Sequence, residues 1–149
     1  MNTLLDSITA IMAEQNTSLS ESFFEAVLNR LVSFGYELQE TDAWELCFCM
    51  MKVENHIKNT CNIKSVPEGL FQIAVDRVCG EFFNGRKASG NLVIGDLDFD
   101  GAVSSIKEGD ASVNFDTGTS DDEKFNAFLN FLMHEGEEGD LVCYRKLKW

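Results

Sequence analysis

The residues best suited to chemistry are three aspartates in the run Asp96-Leu97-Asp98-Phe99-Asp100-Gly101. Carboxylates at the first, third and fifth positions followed by glycine begin an EF-hand calcium loop, because a hard cation takes several carboxylate oxygens and needs a tight turn. The loop then requires a glutamate six residues after the glycine, but Lys107 stands there and Glu108 is one position late. Residues 90–95 also suit an entering helix poorly. We expect a solvated acidic turn, and calcium binding stays an alternative.

The cysteines and histidines do not match a metal site or a catalytic dyad. Cys47 and Cys49 are separated by one residue, whereas a zinc site needs paired Cys-x-x-Cys or histidine spacing. His56 follows Cys49 by seven positions, which is two helical turns. The sequence also lacks a glycine-rich phosphate loop and a nucleophile elbow. We expect reduced, mostly buried thiols, no cofactor, no metal and no enzymatic activity; the five cysteines are Cys47, Cys49, Cys61, Cys79 and Cys143.

Composition indicates one acidic domain. The chain has 149 residues, of which 44% are hydrophobic, enough for a single core and too few for two. Its formal net charge of −13 argues against a protein that wraps nucleic acid, because phosphate binding requires local positive charge. We expect no signal peptide and no membrane partner, since the sequence lacks a basic start and any window of about 18 apolar residues.

Apolar periodicity predicts four helices in a body spanning residues 1–85. The first covers about residues 3–14, and a capping box at Ser18-Leu19-Ser20-Glu21 precedes the second. The third begins at Thr41 or Asp42, and the fourth follows Pro67 and ends near residues 84–85. The third is expected to be the central helix because its apolar stripe is wide; the stripe contains Trp44, Cys47, Phe48 and Met51, with Leu46, Met50, Val53 and Ile57 beside it.

The second half of the chain is expected to contain strands. In the glycine-rich region 86–118, residues 103–107 and 111–115 read as a β-hairpin whose turn is Glu108-Gly109-Asp110. A fifth helix is predicted at residues 119–135, and alternation in the tail at 140–149 predicts a terminal strand. The predicted fold is therefore mainly α with a small β part. A single domain, 1–149, would contain a bundle of about five helices, a hairpin arm and a C-terminal strand.

Charge is unevenly distributed near the end of the chain. Between residues 96 and 140 there are thirteen acidic residues against Lys107 and Lys124. The tail that follows is basic and aromatic, with the residue types that most often anchor interfaces. This contrast favours an interaction surface, although a strand with solvated charges would give the same pattern; the tail reads Tyr144-Arg145-Lys146-Leu147-Lys148-Trp149.

Together these features resemble the head–tail connector (adaptor) proteins of tailed bacteriophages and prophages. The resemblance is carried by a helical body with a long central helix, the helix start Pro67-Glu68-Gly69-Leu70, the Lys-Glu-Gly-Asp-Ala-Ser-Val run at residues 107–113 and the tail. It is clearest from residue 40 onward, and the order and spacing of these short motifs carry it. Residues 1–35 and the acidic segment 96–100 depart from shorter relatives.

The resemblance implies a structural virion protein. Identical subunits would form a ring, commonly dodecameric, that docks under the portal, joins a stopper, neck or tail-completion protein below, and extends the DNA channel without reading sequence. The protein would be located in the virion neck, and in the host cytoplasm during assembly. It further implies portal contact by the tail residues Tyr144, Arg145, Lys146, Lys148 and Trp149, and neighbour or lumen contact by the hairpin tip Lys107, Glu108, Gly109 and Asp110.

One other function class fits the composition. An acidic protein of this size could be a binding protein or DNA mimic that inhibits a host factor, a function that its net charge of −13 would suit. Such a protein would bind a basic partner and need no ring.

Overall fold

Five α-helices make up most of the part of the chain that the computed structural model describes, which is residues 1–98, 121–134, 141 and 144–146. Three short 3₁₀ turns lie between or after them, at Glu40–Asp42, Glu68–Leu70 and Ile94–Asp96. Each helix lies within a few residues of a predicted one; the helices are α1 (Asn2–Ala13), α2 (Glu21–Ser33), α3 (Ala43–Cys61), α4 (Phe71–Ala88) and α5 (Asp121–His134).

The connection between α1 and α2 differs from the predicted capping box. Ser20, not Ser18, is the N-cap of α2, and its hydroxyl accepts a hydrogen bond from the Phe23 amide. Ser18 instead donates from both its backbone amide and its hydroxyl to Glu54 Oε2, each at 2.8 Å. Glu54 is buried on α3, and Thr17 donates to the same oxygen at 3.0 Å. A buried carboxylate thus fixes this loop to the helical body.

The central helix is α4, which corrects the expectation that α3 holds this place. Residues 73–80 are buried without interruption, so α4 is covered on all sides, by α2, α3 and α5. Two charged residues lie in this run, Asp76 and Arg77, and Arg30 of α2 donates to Asp76 at 2.9 Å. Only one stripe of α3 is buried, so α3 is an outer helix.

Close approach between α4 and α5 explains the glycine inside α4. A Cβ on Gly80 would lie 2.7 Å from Met133 Cγ and 3.1 Å from Leu132 Cβ. The aromatic residues beside this contact pack edge to face, with ring centroids 4.8 Å apart for Phe34 and Phe128. Gly80 therefore allows α5 to reach the core, although glycine weakens a helix interior by about 1 kcal/mol relative to alanine.

The predicted β part is wrong for the residues that the structure describes. No strand occurs in residues 1–98, 121–134, 141 or 144–146. Leu141 is helical and Tyr144 lies in a turn closed by its amide bonding to the Leu141 carbonyl, so the predicted terminal strand is not formed there. The hairpin predicted at 103–115 lies outside the described residues. The fold is corrected to an all-helical body in its described part.

Candidate interaction surfaces

The start of the predicted portal-contact tail is anchored to the end of α3. The Lys146 amide donates to the Cys61 carbonyl at 2.7 Å, and the Asn62 side-chain amide donates to the Lys146 carbonyl at 3.2 Å. Asn62 ends α3 in the left-handed conformation (φ 54°), which asparagine tolerates better than most residues. The Cys61 thiol donates to the Leu141 carbonyl at 3.2 Å. Hydrogen bonds thus hold the end of α3 and the start of the tail together.

Tyr144 lies over the turn before α4. A Cβ on Gly69 would collide with its ring and hydroxyl, so only glycine leaves room for the tyrosine at this place. The Tyr144 side chain nevertheless remains 38% exposed. The helix start that carried part of the family resemblance, Pro67 to Leu70, and the first aromatic residue of the tail are therefore in contact.

A groove of about 520 Å³ opens between the tail and the loop after α3. Ile63, Pro67 and Tyr144 supply apolar surface, and the exposed residues Lys64 and Lys146 supply positive charge. Lys64 and Lys146 form no salt bridge within the described part of the chain. We call these five residues the basic groove.

Three of the five predicted portal-contact residues, Tyr144, Arg145 and Lys146, are exposed, and two of them, Tyr144 and Lys146, line the basic groove. Lys148 and Trp149 lie outside the described residues. The four hairpin-tip residues, Lys107, Glu108, Gly109 and Asp110, also lie outside them, and their neighbour or lumen contact stays a prediction.

An exposed aromatic pair on α3 corrects the sequence analysis. Trp44 and Phe48 were expected in the buried stripe, but they are 57% and 63% exposed. Their rings lie one helical turn apart with centroids separated by 6.2 Å. Two adjacent aromatic rings in water are unusual for an isolated soluble protein and commonly mark a contact surface. We call Trp44 and Phe48 the aromatic pair.

Acidic residues border the aromatic pair. Glu40 is exposed one turn before Trp44, and Glu45 follows Trp44 directly. Glu81 of α4 is near enough, together with Glu45, to raise the pKa of Cys49, although burial contributes most to the shift to about 12. Lys52 binds Glu81 at 2.9 Å, whereas Glu40 has no salt bridge within the described residues. Glu45 lies 3.5 Å from Arg86, so the border is net acidic through Glu40.

A buried polar network fixes the start of α3 and hence the aromatic pair. Asp42 is fully buried and accepts hydrogen bonds at 3.0 Å from the Tyr36 hydroxyl and from the Gln39 amide. Arg86 Nη2 lies 3.1 Å from Asp42 Oδ1 and donates to the Tyr36 oxygen at 2.9 Å. Burial, followed by the contact with Asp42, raises the pKa of Tyr36 to about 12. A cavity of about 470 Å³ adjoins Arg86, but its guanidinium is already engaged by Asp42, Tyr36 and, at 3.5 Å, Glu45.

The thiols are not arranged for nucleophilic chemistry. Cys47, Cys49, Cys61 and Cys79 are all free, and three of the four are buried. Burial raises the pKa of Cys47 to about 11 and that of Cys79 well above its ordinary value. A thiol is a nucleophile only as thiolate, and the raised pKa values disfavour the thiolate of these cysteines near neutral pH. Cys143 lies outside the described residues.

The described residues do not form a metal site. Within the described part of the chain, no group of three or more His, Cys, Asp and Glu residues is arranged to hold a metal ion. Of the EF-hand-like aspartates, Asp98 is exposed and Asp100 lies outside the described residues. Helix α4 ends at Ala88, eight residues before Asp96, so it does not enter the acidic run as an EF-hand helix does.

None of the described helices is long and apolar enough to cross a membrane.

Comparisons with known proteins leave the family open. No protein-family model matches the chain, and neither a curated protein nor a solved structure gives a significant match. The connector resemblance therefore rests on the short motifs and their order, and the two surfaces described above are the structural basis for proposing a function.

Proposed function

We propose that this chain is a head–tail connector subunit of a tailed bacteriophage. Identical copies form a ring between the portal and a stopper, neck or tail-completion protein, and the ring extends the DNA channel. The observation that carries the proposal is the anchoring of the basic tail: its backbone is fixed to the end of α3 while Arg145 and Lys146 are exposed. This arrangement presents charge to another protein and offers no catalytic group.

The second support for the proposal is the presence of two separate contact surfaces on one small body. A connector subunit must bind like subunits and unlike proteins above and below it, which requires more than one interface. The aromatic pair and the basic groove lie near opposite ends of α3, a helix of 19 residues. They can therefore be occupied at the same time.

The net charge suits a channel that DNA passes through. With a formal charge of −13, the chain repels phosphates over distances of about one Debye length, roughly 8 Å at physiological salt. A channel lined by such subunits would neither hold nor read the DNA.

The tail hypothesis is tested by binding to the portal ring. Arg145→Ala combined with Trp149→Ala should reduce binding to the portal protein encoded with this chain, while the melting temperature stays within a few degrees of wild type. Lys124→Ala, on α5, removes a positive charge away from the tail and serves as the matched control. Equal binding by the tail variant and the control would show that the tail does not contact the portal.

A second candidate function is favoured by the same charge. An acidic inhibitor or DNA mimic would bind a basic host protein as a monomer and would ignore a portal ring. Capture experiments with immobilised portal and with DNA-binding host proteins separate the two functions, because salt-sensitive binding to the host proteins alone supports the inhibitor.

A further inference from the structure

We propose that the aromatic pair of one copy binds in the basic groove of a second copy, so that chains associate head to tail. The proposal deepens the proposed function and rests on it, because it names the contact that would link neighbouring subunits in the ring. Its occupant is a second copy of this chain, argued from the chemistry of the two surfaces.

The aromatic pair has the properties of an inserted group. Trp44 and Phe48 expose roughly 200 Å² of apolar surface between them, on rigid side chains with few rotamers. Their backbone is held by the buried Asp42, which bonds to Tyr36 and Arg86. The pair is therefore preorganised, and little conformational entropy would be lost when it binds.

The basic groove has the matching properties of a receptor. Its volume of about 520 Å³ is large enough for aromatic side chains, and Ile63, Pro67 and Tyr144 supply apolar contact. Lys64 and Lys146 border it and have no salt-bridge partner in the described part of the chain. Tyr144 is fixed against Gly69, so the groove is formed before any partner arrives.

Charge selects a second copy in this orientation. Glu40, beside the aromatic pair and without a salt bridge in the described part of the chain, would approach Lys64 and Lys146 of the groove, while Glu45 keeps its contact with Arg86 at 3.5 Å. A two-fold contact of aromatic pair on aromatic pair would instead place the two Glu40 carboxylates at the same contact, which is unfavourable. The head-to-tail arrangement therefore pairs unlike charges where the two-fold contact pairs like ones.

The positions of the two surfaces allow continued assembly. From Trp44 to Cys61 the helix rises by roughly 26 Å, so one chain can use both surfaces at once. A contact between two different surfaces is heterologous, and repetition gives a closed ring when the rotation between copies closes. In this arrangement the portal contact is assigned to Arg145, Lys148 and Trp149, and the neighbour contact to the groove, which includes Tyr144 and Lys146.

The experiment uses two variants that each lack one half of the contact. Trp44→Asp with Phe48→Asp removes the aromatic pair and keeps the groove; Lys64→Glu with Ser65→Glu blocks the groove and keeps the pair. All four positions are exposed, so the fold should be retained, which circular dichroism and melting check. Val32→Asp, at an exposed apolar residue of α2, is the matched control. Sedimentation under reducing conditions measures the mass of each protein up to about 1 mM, where millimolar contacts are detected.

The wild-type chain and the Val32 control should show a weight-average mass that rises with concentration beyond that of a dimer. Each double variant alone should associate at least roughly 30-fold more weakly, as expected for loss of an interface anchor. An equimolar mixture of the two variants should form a dimer and nothing larger, because it contains one intact contact. A wild type that stays monomeric, or a mixture without the dimer, would overturn the proposal.

Portal binding distinguishes failure of this inference from failure of the proposed function. Suppose that the wild type alone is monomeric, and that the wild type and the aromatic-pair variant bind equally to a portal ring. The proposed head-to-tail contact is then wrong, and the connector function is supported. If wild type self-associates through the contact but ignores the portal, the connector function is wrong and the contact stands.

Discussion

The backbone amide of Lys146 lies 2.7 Å from the carbonyl oxygen of Cys61, in the last turn of α3. This hydrogen bond satisfies a helix-end carbonyl that would otherwise lack a partner. It also joins the tail to the helix whose other end bears the aromatic pair. The two surfaces are therefore held at a fixed separation, which is what a repeating contact between subunits requires.

Gly69→Ala should detach the start of the tail. The new Cβ would collide with Tyr144, and displacing the tyrosine also strains the hydrogen bonds at Cys61 and Asn62. We expect trypsin to cut after Arg145 and Lys146 several-fold faster than in wild type, measured by mass spectrometry. Gly95→Ala is the control, because a Cβ there meets no atom within 4 Å. Similar cleavage rates in both variants would show that Tyr144 is not packed on this turn.

Glu54→Ala should destabilise the fold strongly. The substitution removes the acceptor of three hydrogen bonds from Thr17 and Ser18, at 2.8 to 3.0 Å, and leaves their donors unsatisfied. We expect a loss of about 3 kcal/mol in the free energy of unfolding by urea. Lys58→Ala should cost less than about 1 kcal/mol, because its 3.6 Å ion pair is long and Glu54 keeps its donors. Comparable losses for the two variants would refute the anchoring role of Glu54.

Gly80 and Gly85, both in α4, should respond oppositely to alanine. Gly80→Ala inserts a methyl group 2.7 Å from Met133 Cγ, so overpacking should outweigh the gain in helix propensity and cost about 1 kcal/mol net. Gly85→Ala meets only the flexible Glu45 carboxylate, at 3.3 Å, and should stabilise by about 0.5 kcal/mol. Thermal unfolding of both variants is the measurement. If both alanines stabilise, α5 does not pack on Gly80.

Stability should fall at alkaline pH. Burial raises the pKa of Cys47 from 9.0 to about 11, and that of Tyr36 from 10.0 to about 12, with Asp42 adding to the latter. Above pH 9 the folded state therefore binds more protons than the unfolded state, so the free energy of unfolding decreases as pH rises. The stabilisation is complete below pH 9 and is lost between pH 9 and 12.

Urea unfolding in reducing buffer at pH 7, 8.5 and 10 checks this dependence. The contribution of Cys47 alone should reach on the order of 1 kcal/mol by pH 10. Cys47→Ala should be less stable at pH 7 but should show a shallower decline above pH 9. An identical free energy at pH 7 and pH 10 for the wild type would contradict the burial of these groups.

The helices were predictable from sequence because their apolar residues repeat at helical spacing and their ends carry recognisable signals. Pro67 before α4 and the acidic start of α5 are examples. The place of each helix in the bundle was not predictable. Trp44 and Phe48 extend an apolar stripe that is wider than α3 can bury, and periodicity does not show which edge of such a stripe faces solvent. The burial of α4 was hidden by Asp76 and Arg77, which interrupt its apolar pattern.

The two surfaces were only partly predictable from the sequence, because composition and periodicity do not show which side chains meet in the folded chain. The basic tail was visible as composition, but the groove depends on a contact between Tyr144 and Gly69, far apart in sequence. The alternation of side chains in the tail predicted a strand. Tyr144 instead lies in a turn, because its amide donates a hydrogen bond to the Leu141 carbonyl. Local patterns do not encode the contact of Tyr144 with Gly69 or the hydrogen bond from Lys146 to Cys61, which join residues far apart in sequence.

The most direct test of the connector function is the mass of a complex with the portal. The portal protein encoded with this chain would be purified as a ring, mixed with excess chain and measured by native mass spectrometry, followed by cryo-EM. The connector proposal predicts a gain of one 16.7 kDa chain for each portal subunit and a continuous ring seated on one face. A portal ring that gains no mass at saturating chain would contradict it and favour the acidic inhibitor.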